Sequence, residues 1–239
     1  MADSFRKKFV ILTAARTGSN ALVNALTRHP DIRCDYEVFH PLEVYTDGDN
    51  PFSIEERDQD PVAFLDTVMA WNHDRFPNKG VYGFKLFFAH SQAVQDHVIA
   101  DPSWAKIILR RKNLLDQFTS EIIARNSAKW NSEQGEAKQT KIHVKISQLE
   151  YFLRHAKTGF DAADDALKSS GQSCLDLEYR DIAQGRFDAI CNFLEVDGSV
   201  PVATHLEKQN SPRSADRISN VDEVQAWLRE NDHMDWWVN

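Results

Sequence analysis

A short apolar run, Phe9-Val10-Ile11-Leu12, breaks off into a small polar turn, Thr13-Ala14-Ala15-Arg16-Thr17-Gly18-Ser19-Asn20. Apolar residues then resume at helical spacing with Leu22, Val23 and Leu26. This reads as strand, loop and helix. In an open α/β sheet such a loop lies at the carboxyl end of a strand and the amino end of a helix. Free N–H groups and the helix dipole there favour an anion, typically a phosphate. Arg16 adds a full charge and a forked donor. A buried strand followed by an ordinary helix cap produces the same pattern, so the loop alone leaves both readings open.

The loop also excludes chemistry. A nucleoside-triphosphate loop needs two spaced glycines and a Lys-Ser/Thr ending, and Ala14-Ala15-Arg16-Thr17-Gly18-Ser19 has neither. The Mg²⁺ of such a site takes help from an acid at the end of another strand. Here the other strand-like runs end in Lys85 to His90 and in Arg110-Arg111, which offer cations or a histidine. The pattern predicts an anion site built from side-chain cations without a metal. No Gly-x-Gly-x-x-Gly occurs in the chain.

Further strand-like runs fall near 31–36, 80–88, 104–110 and 173–178, beside the first at 7–13. Helical patterns run over Asp60–Met69, Asn113–Ala128, Gln148–Lys168 and Val221–Glu230. Pro61 sits at an allowed first-turn position, and Asn113 with Asp116 suits the start of its helix. Leu115, Phe118 and Ile122 make one stripe on that helix. This alternation predicts an α/β fold, with a central, mostly parallel sheet flanked by helices. The 239 residues suit a single domain over 1–239.

Several segments, taken in order, resemble sulfotransferases that use 3′-phosphoadenosine-5′-phosphosulfate (PAPS). Arg16-Thr17-Gly18-Ser19 after a strand resembles their 5′-phosphosulfate loop. Ile107-Ile108-Leu109-Arg110-Arg111 through Ser120 resembles their 3′-phosphate motif. Tyr36-Glu37-Val38-Phe39 and Tyr82-Gly83-Phe84-Lys85-Leu86 are similar to strands of the bacterial carbohydrate branch, which includes trehalose and nodulation-factor enzymes. Leu177-Glu178-Tyr179-Arg180-Asp181-Ile182 resembles a later strand end. Lys208-Gln209-Asn210 followed by Asn220-Val221-Asp222-Glu223 resembles the C-terminal segment.

The resemblance implies a P-loop-like sulfotransferase fold, PAPS as co-substrate, no metal, and a hydroxyl acceptor on a carbohydrate or small molecule. Arg16, Thr17, Gly18, Ser19 and Asn20 would hold the 5′ side of the donor, and Arg110, Arg111 and Ser120 its 3′-phosphate. Lys208 and Gln209 would close over the nucleotide, and Lys85 would either contact the donor or reach solvent. The family usually spaces arginine and hydroxyl by eight. Arg111 to Thr119 is eight and Arg111 to Ser120 is nine, and the carbohydrate branch favours Ser120.

Sulfuryl transfer needs a cation on the leaving side and a base for the acceptor hydroxyl. Arg16 is the cation candidate. Glu37, closely following the second strand, matches the branch's general base, and His40 and His90 are rivals, His90 the stronger because it follows a strand end. Two other classes remain: a metal-dependent nucleotide kinase on a related fold, which the missing lysine and metal acid disfavour, and a non-catalytic nucleotide-binding module.

A net charge of −8 disfavours a general nucleic-acid binder. It leaves room for a local cationic pocket, because salt confines charge effects to about 10 Å. Cys34, Cys174 and Cys191 are few and scattered, which predicts reduced, mostly structural thiols. No run is long enough to span a membrane, and Phe5-Arg6-Lys7-Lys8 with its short apolar sequel is a poor signal peptide. A cytoplasmic enzyme is expected, as a monomer or a homodimer. Glu43–Gln59 and Arg125–Thr140 read as irregular loops, on the surface or bordering the acceptor site. Trp236 and Trp237 near the C-terminus read as core cover before sugar stacking.

Overall fold

The computed structural model describes residues 5–127, 141–206 and 213–238. The opening apolar run forms strand β1 (Lys7–Thr13), and helix α1 (Ser19–Thr27) follows its loop. In chain order come β2 (Ile32–Asp35), α2 (Ile54–Gln59), α3 (Pro61–Arg75), β3 (Val81–Phe87), α4 (Gln92–Ala100) and β4 (Trp104–Arg110). Then follow α5 (Leu114–Ser127), α6 (Ile146–Ser170), β5 (Cys174–Glu178), α7 (Tyr179–Ala183), α8 (Asp188–Leu194), α9 (Ser214–Arg217) and α10 (Val221–Glu230). A 3₁₀ turn over Met234–Trp236 is the last element among the described residues.

The five strands form one sheet in the order β2-β3-β1-β4-β5, and every pairing is parallel. The register sets Ile11 beside Lys85 and Ile107, and Thr13 beside Phe87 and Leu109. Parallel strands are buried on both faces, so they read as continuous apolar runs. Val10, Leu12, Phe84 and Ile108 pack into one cluster, and Phe9, Ile11, Ile107 and Leu109 into another. The connection from β1 runs to one side of the sheet and that from β3 to the other. The carboxyl ends of β1 and β4 therefore form the switch point at which open α/β sheets bind ligands.

The chain divides into two compact units. The first comprises Met1–Ala14, Gly18–Arg110 and Gly159–His205 and holds the sheet. The second comprises Ala15–Thr17, Arg111–Thr158 and Leu206–Asn239. Its core gathers Leu115, Phe118, Val144, Leu149, Ile218, Val224, Leu228 and Trp236. A parallel bridge joins Ile142 to Ile218, and the Asn220 side chain bonds both backbone groups of Val144. Asn113 donates to the carbonyl of Trp236, fastening the C-terminal turn to the start of α5. Trp236 is core cover, as its sequence setting predicts.

Two expectations need correction. The segment Glu43–Gln59 is not wholly irregular, because Ile54–Gln59 is helical. Ser53 and Glu56 build a capping box there, and reciprocal caps sustain a helix too short for periodicity to reveal. In the segment Arg125–Thr140, residues 125–127 continue α5, and residues 128–140 lie outside the described residues. Cys34 and Cys191 are buried free thiols, and Cys174 is exposed.

Candidate active site

The loop after β1 is shaped by two left-handed residues, Arg16 at φ 62° and Gly18 at φ 87°. Glycine adopts this region freely, whereas an arginine there carries strain of about 1–2 kcal/mol. Gly18 is the N-cap of α1 and supplies no capping side chain, so the first-turn N–H groups are not closed by their own cap. A Cβ on Gly18 would stand 2.5 Å from Cδ2 of Tyr179. Glycine is required there by space as well as by angle. Thr17 and Ser19 are buried.

In the second unit, the side chains of Arg16, Arg111, Asp116, Thr119, Ser120 and Arg217 form one network. Nε of Arg16 donates to Oγ of Ser120 at 3.0 Å. Nη1 of Arg111 donates to the carbonyl of Arg16 at 2.8 Å, and the Gln117 amide donates to the carbonyl of Ala15 at 2.6 Å. The N–H of Asp116 is capped by Asn113 at 2.8 Å, and its carboxylate pairs with both Arg111 and Arg217. Arg217 also donates to the Thr119 hydroxyl at 2.9 Å. Helix α5 therefore buries Asp116, Gln117, Thr119 and Ser120 besides its apolar stripe. Ion pairs and hydrogen bonds make that burial tolerable.

The two adjacent arginines part company. Arg110, in the first unit, pairs with Asp164 and Asp176 and lies over the Phe160 ring, 4.8 Å from its centroid. Arg111, in the second unit, shares one carboxylate with another arginine. Arg110 is the last residue of β4 and Arg111 lies just past it.

In the first unit, Lys85 on β3 is the centre of the second group. Its ammonium pairs with Oε1 of Glu37 at 2.7 Å and donates to the side-chain oxygen of Asn20 in the first turn of α1. Tyr36 and Phe87 flank it, with ring centroids at 5.6 and 5.0 Å. The Lys85 side chain is 1% exposed and that of Glu37 18%. The alternative that the Lys85 amine reaches solvent therefore fails. Burial in an aromatic site is sustained by the paired carboxylate. The Glu37 carbonyl accepts from His40 N at 3.0 Å and Tyr45 N at 3.3 Å, a turn that fixes the residue just past β2.

Nε2 of His90 stands 3.9 Å from Oε2 of Glu37, and its ring packs on Phe87 and edge-on to His40. Its side chain is 4% exposed, and Nδ1 has no hydrogen-bond partner among the described residues. Burial lowers the His90 imidazole from its ordinary 6.5 to about 4, against the opposing pull of Glu37. His90 is thus neutral at pH 7. The arrangement can hold a carboxylate ready to accept a proton beside a fixed cation.

Lys208, Gln209 and Asn210 lie outside the described residues. Arg217 and the Lys85–Asn20 contact had no local sequence signal, since their partners lie 65 or more positions away. Among the described residues no group of three or more His, Cys, Asp or Glu could hold a metal ion, and no helix is long and apolar enough to cross a membrane.

No family model and no curated protein matches the chain. Among solved structures, the chain is similar to a sulfotransferase from Alicyclobacillus acidocaldarius. The TM-score is 0.51 at 16% identity, over 95% of this chain and 92% of that one. The likeness is one of fold.

Proposed function

We propose that this chain transfers a sulfuryl group from PAPS to a hydroxyl group of a carbohydrate. The carrying observation is the Arg16–Ser120 hydrogen bond. It links the loop after β1 to the helix after β4, the two segments whose sequences resemble the donor-binding motifs. The fold likeness to a sulfotransferase supports the same reading.

In this reading the sulfur–oxygen bond to the 5′-phosphate breaks, its electron pair leaves on the phosphate, and a bond to the acceptor oxygen forms. Glu37 takes the acceptor proton. Arg16 and the amino end of α1 hold the charge developing on the leaving phosphate. Lys85 fixes the Glu37 carboxylate and bridges it to Asn20. Arg111 and Ser120 receive the 3′-phosphate. The donor is a cytosolic metabolite, so the enzyme is placed in the cytoplasm, acting as one domain over its 239 residues.

The test is incubation with PAPS labelled at sulfur, together with a panel of sugars, glycans and small alcohols. The label should appear on a sugar hydroxyl without added metal. Binding of the desulfated nucleotide with no transfer to any acceptor would make the chain a binding module. Turnover that requires Mg²⁺ and a nucleoside triphosphate would make it a kinase.

A further inference from the structure

Asp116 is held from two sides. Arg111 approaches Oδ2 and Arg217 approaches Oδ1, the latter as an ion-pair contact without hydrogen-bond alignment. All three side chains are buried. Arg217 belongs to α9, far along the chain, and its own carbonyl is fixed by Ile142 N at 2.8 Å. It also engages the Thr119 hydroxyl, which itself donates to the Asp116 carbonyl at 3.2 Å. Thr119 thus serves Arg217, while Ser120, the next residue, serves Arg16.

We propose that Arg217 is a positioning residue that sets how strongly Arg111 can bind a phosphate monoester. The proposal rests on the donor reading above. A carboxylate can accept a bidentate arginine fork, and such a pair uses two donors of the guanidinium. With Arg217 against Oδ1, Asp116 meets Arg111 at Oδ2. Without Arg217, the carboxylate turns fully onto Arg111 and neutralises charge that would otherwise act on the phosphate. Arg217 acts through Asp116 and does not touch the ligand.

Calorimetry with adenosine 3′,5′-bisphosphate and adenosine 5′-phosphate tests this on the full chain. The wild type should prefer the bisphosphate. Arg217→Met should weaken bisphosphate binding roughly tenfold, about one charge-assisted contact, and leave the 5′-phosphate unchanged. Adding Asp116→Asn to Arg217→Met should restore the preference, because the carboxylate that smothers Arg111 is gone. Arg217→Lys, which keeps a cation on Asp116, should retain most of it. A merely structural Arg217 predicts that adding Asp116→Asn leaves the ratio of the two nucleotide affinities where Arg217→Met put it. That result, an unchanged preference in Arg217→Met, or equal loss of both nucleotides overturns the proposal alone. Equal affinity of the wild type for both nucleotides overturns the donor reading and the proposal together.

Discussion

The Arg16 guanidinium and the Ser120 hydroxyl, 104 residues apart in the chain, meet at 3.0 Å. The contact ties a left-handed loop residue to a buried polar position two turns into α5. Strain in a non-glycine residue persists only where its surroundings hold it, and such residues gather at functional sites.

Arg16→Ala should therefore fold normally and lose turnover by about 10²–10³, the usual effect of removing a preorganised donor. Thermal melts and steady-state rates with labelled donor check both halves. Unchanged turnover at saturating donor would remove Arg16 from the mechanism.

Glu37→Gln should leave binding of the desulfated donor nearly intact while turnover falls by about 10²–10⁴. His90→Asn should cost much less. A pH–rate profile does not identify the base, because burial brings His90 down to about 4, out of the usual histidine range. Substitution does. An active Glu37→Gln beside an inactive His90→Asn would move the base to the histidine.

His90 also makes stability depend on pH. Its folded value lies below its unfolded one, so between pH 6.5 and about 4 the unfolded chain binds a proton that the folded chain refuses. Stability accordingly falls as pH drops through that window, by at most about 3 kcal/mol, and less where water screens the ring. Urea denaturation at several pH values should show a shallower slope for His90→Asn than for the wild type. Equal slopes would mean that the ring is not protected from protonation.

Gly18→Ala places a Cβ in the left-handed region and 2.5 Å from the Tyr179 ring. The angle alone costs about 1–2 kcal/mol. Truncating the ring in Tyr179→Ala should relieve the clash but not the angle, so the double variant should regain only part of the loss in denaturant melts. Full recovery would mean that crowding alone selects the glycine.

The three central strands were legible because parallel strands buried on both faces are written as apolar runs, as in Phe9–Leu12 and Ile107–Leu109. The long helices announced themselves by period. Helix α4 was not read, nor were the short helices α2, α7, α8 and α9, since α2 and α7 rest on reciprocal caps rather than on a repeated stripe. In the site, Arg16 and Glu37 stood out by closely following a strand end, and Ser120 by the resemblance to the carbohydrate branch. Arg217 did not, because what defines it is a carboxylate 101 residues earlier. The neutrality of His90 was equally invisible, since it depends on the packing of Phe87 and His40 around the ring rather than on its neighbours in sequence.

Arg33 on β2 offers a handle for redesign. Its buried guanidinium pairs with Asp35 at 3.0 Å and reaches out to grip Asp47 twice, by carboxylate and carbonyl, each at 2.6 Å. Asp35 in turn accepts from the Asp47 amide at 2.9 Å. The segment beyond Glu37 is thus riveted to the sheet at both ends, while Pro41, Leu42 and Glu43 between them stand exposed. Those three positions form a mutable span between fixed piers. A combinatorial library confined to them could retune what approaches Glu37 while the rivets keep the carboxylate in register.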